Sequence, residues 1–75
     1  LSDAELDAAG LRSNDALATM TGIRWIRSYY SAEEGKIYCE YEAPDLETLF
    51  EHARRANLPF NGGHVVRELR PEMFV

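Results

Sequence analysis

Cysteine is almost absent from this chain: Cys39 stands alone among 75 residues. No intrachain disulfide can form, and nothing in the composition calls for an oxidising compartment, so a cytoplasmic setting is the default expectation. Long apolar runs are missing too. That argues against a membrane span, and no basic stretch leading into an apolar one marks a secretory leader. Basic charge is scarce: 8 Lys and Arg face 13 Asp and Glu, for a net charge of −5. A surface of that sign repels phosphate backbones and anionic lipid, so nucleic acid and membrane are poor partners. Repeats, linkers and low-complexity tracts are lacking as well. Residues 1–75 therefore read as one domain, near the lower size at which a chain buries enough apolar surface to fold.

What is present is a clear succession of elements. Ser2, Asp3, Ala4 and Glu5 form an S-x-x-E capping box, in which the Ser2 hydroxyl and the Glu5 carboxylate satisfy backbone N–H groups at a helix start. Leu6, Ala9, Gly10, Ser13, Leu17 and Met20 then share one stripe at helical spacing, with Gly22 placed to end the helix in a left-handed residue. Gly10 weakens this helix by up to about 1 kcal/mol unless it permits close packing. β-Branched and aromatic residues dominate Ile23–Tyr30 and Lys36–Ala43, and Ser31–Gly35 between them carries turn chemistry, so a hairpin is predicted. In its second strand Ile37, Cys39, Tyr41 and Ala43 alternate with polar neighbours and are expected to face a core. The first strand alternates less cleanly, with Ile23 and Trp25 on one face and Ile26 and Tyr30 on the other. Pro44 stops the hairpin and Asp45 caps a second helix, whose apolar stripe is Leu46, Leu49, Phe50, Ala53 and Asn57. Arg54 and Arg55 near its end complement the helix dipole and read as surface. A loop through Gly62 and Gly63 leads to a short strand at about His64–Leu69 and a tail broken by Pro71.

The order helix, strand, strand, helix, strand is that of an α+β, ferredoxin-like βαββαβ sandwich without its first strand. In that antiparallel fold the absent strand lies between the strand of Cys39 and the strand of Val65 and Val66, whose edges would otherwise stay unpaired. An upstream segment or another chain is expected to fill the gap, the upstream segment being preferred.

Four stretches carry a family resemblance: Arg12-Ser13-Asn14; Trp25-Ile26-Arg27-Ser28-Tyr29; Tyr38-Cys39-Glu40-Tyr41-Glu42-Ala43-Pro44; and Glu51-His52-Ala53-Arg54-Arg55-Ala56-Asn57-Leu58-Pro59. Together they resemble small bacterial ferredoxin-like proteins classed as a domain of unknown function, whose best-understood type binds nickel. The resemblance spans nearly the whole chain. It implies a homodimer, possible transition-metal binding, and no established catalysis. Arg27 departs from the pattern, because many relatives carry His there and a guanidinium is no metal ligand.

Against that background Cys39 and His52 are the expected metal donors. Cys39 should point from the sheet toward the helices, and His52 borders the apolar stripe beside Leu49 and Ala56. Thiolate and imidazole suit nickel, zinc or copper, with Glu42, His64 or a second subunit completing the coordination. The bland alternatives are a small buried hydrophobe for Cys39 and a core-edge hydrogen bond for His52. The opposite sheet face, with Arg24, Ile26, Ser28, Tyr30, Tyr38, Glu40 and Glu42, suits a dimer interface. A rival reading is an enzyme related in fold to small monooxygenases and lactone isomerases, holding substrate beside Trp25, Tyr29, Tyr41 and His52. A plain interaction module is the third.

Overall fold

A computed structural model describes all residues, 1–75. Its elements run α1 (Asp3–Leu17), β1 (Arg24–Ser31), β2 (Lys36–Glu42), α2 (Leu46–Arg55) and a short 3₁₀ turn (Pro71–Phe74). The fold is α+β, with two helices over a two-stranded antiparallel sheet. No helix is long and apolar enough to cross a membrane.

α1 begins as its sequence dictates. The Glu5 amide donates to Ser2 Oγ (3.1 Å) while the Ser2 amide donates to Glu5 Oε1 (2.9 Å), a complete capping box. Its expected stripe is the inward one: Ser13 is buried, and Leu6, Ala9, Gly10, Leu17 and Met20 are half-buried. The helix stops at Leu17, before Gly22, which adopts its left-handed φ of 78° in the following loop.

α2 starts at Asp45, whose carboxylate accepts from the Thr48 amide (2.8 Å) and hydroxyl (2.7 Å). It ends in a Schellman motif: the Leu58 amide donates to Ala53 O (2.9 Å), the Asn57 amide to Arg54 O (3.1 Å), and Asn57 carries φ 53°. Asn57 is therefore an exposed left-handed cap and not part of the apolar stripe; Ala56 takes the buried place. The loop after α2 folds back on that helix. Phe60 stacks on Phe50 with ring centroids 5.0 Å apart, and a Cβ on Gly63 would sit 3.0 Å from Phe50 Cε1.

The hairpin closes through Gly35, at φ 67°, whose amide donates to Ser31 O (2.8 Å). Its register explains the irregular pattern of β1. Trp25 pairs with Tyr41 but Arg27 with Glu40, so Ile26 forms a bulge. Downstream of it the faces exchange: Trp25, Ser28 and Tyr30 share the helix side with Tyr41, Cys39 and Ile37, while Arg27, Tyr29, Tyr38 and Glu40 lie opposite. Ser28 and Tyr30 thus leave the outer face on which simple alternation puts them.

Two further expectations are corrected. Residues 64–69 are exposed and form no strand, because a strand exists through its ladder partner and none lies beside them in this chain. The sheet has two strands, so the full βαββαβ arrangement is not present within these residues. Of the inward residues of β2, Tyr41 is half-buried whereas Ile37 and Cys39 are exposed. The helices touch the hairpin where Trp25 nears Gly10, where Tyr41 meets His52, and where the Leu1 amino group donates to the Tyr30 hydroxyl (2.9 Å).

Candidate functional site

The interior is small: Ser13, Ala16, His52, Ala53 and Ala56 are the buried residues. Alanines and a serine let α1 and α2 approach closely, and two arginines fasten the junction from outside. Arg12 Nε donates to Ala56 O (3.0 Å) at the end of α2. Arg55 Nη1 donates to Thr19 O (3.1 Å) and Oγ1 (3.0 Å) beyond α1. Arg55 also pairs with Glu51, as does Arg54.

Polar groups line the seam between helices and sheet. His52, 1% exposed, places Nε2 3.2 Å from both Ser13 Oγ and Ser13 O. Its ring lies against Tyr41, with centroids 5.0 Å apart, and Tyr41 in turn lies 6.5 Å from Trp25. Burial pushes the Tyr41 phenol up to about 12; the Ser13 hydroxyl opposes that rise and Cys39 adds to it. Farther along the same face Trp25 Nε1 donates to Ser28 Oγ (2.8 Å), and Ser28 Oγ donates to Cys39 Sγ (2.9 Å).

The expected metal donors are thus dispersed. Cys39 is exposed with its sulfur held by Ser28; His52 is interior; Glu42 is exposed and paired with Arg24 on the outer face; His64 is exposed on the segment after α2. No three or more His, Cys, Asp or Glu side chains gather anywhere in the chain closely enough to hold a metal ion. The four aromatic and imidazole groups expected to surround a substrate are divided as well, since Tyr29 lies on the outer face. Two shallow surface depressions lie elsewhere, one of about 570 Å³ at the Arg12–Arg55 junction and one beside Asp45 and Glu51.

Sequence reasoning missed Ser13 and Ser28 as partners of His52 and Cys39. Ser13 had a signal, because a hydroxyl on a buried stripe requires a hydrogen-bond partner. Ser28 had none, since the bulge at Ile26 sets its face.

The family model described as "Nickel responsive protein SCO4226-like" matches residues 1–66. The chain belongs to this family. The matched region takes in both helices, the hairpin, Cys39, His52 and His64. No curated protein and no solved structure gives a match. Membership in the nickel-responsive family makes nickel the first metal against which the donors are tested. Cys39 fits as an accessible soft donor. One chain does not supply a closed cage, because a structural metal centre takes about four ligands and these side chains stand apart.

Proposed function

We propose that this chain binds a divalent transition metal, nickel in the first place, with Cys39 as the principal donor. The reading is carried by the match of residues 1–66 to the nickel-responsive family. It is supported by the exposure of the only thiol in the chain, on a part of the sheet that the helices leave uncovered. A thiolate binds borderline-soft cations, and the metal displaces the thiol proton as it binds. Glu42 and His64, both exposed, are the further donors of this chain, and a second copy completes the set. In the reducing cytoplasm Cys39 stays available as a thiol.

The same proposal includes the larger architecture. We read the helix, hairpin and helix as part of a ferredoxin-like βαββαβ unit that works as a homodimer. The free edges of the hairpin and the unpaired, exposed segment at residues 64–69 support the first part. Exposed Tyr29 and Tyr38, paired across the outer face, support the second.

Calorimetric titration with nickel, with zinc and copper as comparators, tests the metal reading. Wild-type protein takes up nickel at micromolar concentration, and Cys39→Ala weakens the affinity at least ~10-fold through loss of the thiolate ligand. No heat from the wild type, or equal heat from the variant, overturns it.

A further inference from the structure

We infer that His52, although a residue of metal-binding type, is the fastener between α1 and α2 and stays outside the coordination sphere of any metal that this chain takes up. The inference rests on the proposed nickel reading only for its second half. The fastener half stands on the fold.

The ring nitrogen decides the matter. Nε2 of His52 lies 3.2 Å from the carbonyl oxygen of Ser13, which has no hydrogen to give. In one tautomer Nε2 donates its hydrogen to that oxygen, and in the other it accepts from the Ser13 hydroxyl at the same distance, so Ser13 engages it either way. A nitrogen that holds a hydrogen, or whose lone pair accepts one from Ser13, offers nothing to a metal. Nδ1 belongs to the same ring, which is 1% exposed and packed against Tyr41. A metal there would need further protein donors around it, and no three ligand-type side chains assemble anywhere in the chain.

The bond also meets a need of the helix pair. Ser13 and His52 are the two buried polar residues, one on each helix, and their mutual contact satisfies the imidazole Nε2 in the interior. With Ala16, Ala53 and Ala56 as the rest of the buried set, this contact is the buried directional link between the helices, the arginine bonds lying toward solvent. Metal donors then come from the exposed residues, Cys39 first.

Two substitutions separate a fastener from a ligand. Gln presents an amide nitrogen where His presents Nε2 and can still donate to Ser13 O, whereas Leu fills the space and cannot. His52→Leu lowers the melting temperature by several degrees, and His52→Gln recovers most of that loss. In the nickel titration, His52→Gln binds within about twofold of the wild type, an effect of a few tenths of a kcal/mol. Equal melting temperatures for His52→Leu and wild type overturn the fastener. A tenfold or greater loss of nickel affinity in a His52→Gln protein with wild-type far-ultraviolet dichroism overturns the exclusion from the metal. Should the wild type take up no nickel, the proposed function falls, and the melting order of Leu, Gln and His still decides the fastener.

Discussion

Gly10 is the residue whose role is most open to direct measurement. It sits within α1 on the inward stripe, and a Cβ built there meets only Trp25 Cη2, at 3.8 Å, an ordinary contact. Close packing therefore does not require glycine, and the backbone freedom it confers costs the helix stability. Gly10→Ala should raise stability by about 0.5–1 kcal/mol, read as a rise in melting temperature; a fall would mean that Trp25 cannot accommodate the methyl group. Residue by residue, helix stripes were legible wherever periodicity alone sets the inward face: the five stripe positions within α1, and Met20 just beyond its end, are buried or half-buried. Asn57 was misread for a physical reason, since a left-handed cap falls at the same spacing as a stripe residue. His52 was legible as a border residue but its partner was not, because Ser13 lies 39 positions away.

At the scale of elements, the two helix starts and the last turns of α2 depend on charge. Bonds from Ser2 hold the Glu5 carboxyl below its ordinary value, bonds from Thr48 do the same for Asp45, and Arg55 followed by Arg54 does so for Glu51. Each folded-state pKa lies below its unfolded value, so the stabilisation is present above the unfolded pKa and fades as pH falls through the folded one. The urea midpoint should hold steady from neutrality down to about pH 5 and decline below about pH 4. Asp45→Asn keeps a side-chain oxygen for Thr48 without the titrating charge, so its decline should be shallower; identical profiles would remove the cap from the acid response. The hairpin was legible from β-branched and aromatic residues flanking a turn with glycine. The absent ladder at residues 64–69 was not, because composition reports a tendency to extend and pairing depends on what lies alongside.

The whole molecule is a slab of 41 × 32 × 19 Å with a radius of gyration of 13.5 Å, against about 11 Å for a compact chain of this length. Its accessible surface is 6035 Å², where a compact monomer of this mass exposes about 4,700 Å². The excess exceeds the ~800 Å² that one partner contributes to a standard interface. Sedimentation velocity at micromolar concentration should accordingly give twice the chain mass, and a monomer that persists across the dilution series would count against the homodimer. One residue of that slab has a peculiar standing. Ile26 occupies β1 without a ladder partner, so a chain that lost it in frame would read Arg24, Trp25, Arg27, Ser28, Tyr29, Tyr30 in unbroken alternation over the same partners. Loss of Trp25 or Arg27 would close the bulge too, but with Ile26 standing in the lost side chain's place, so Ile26 is the one position of the hairpin whose deletion would leave every paired side chain opposite its present partner.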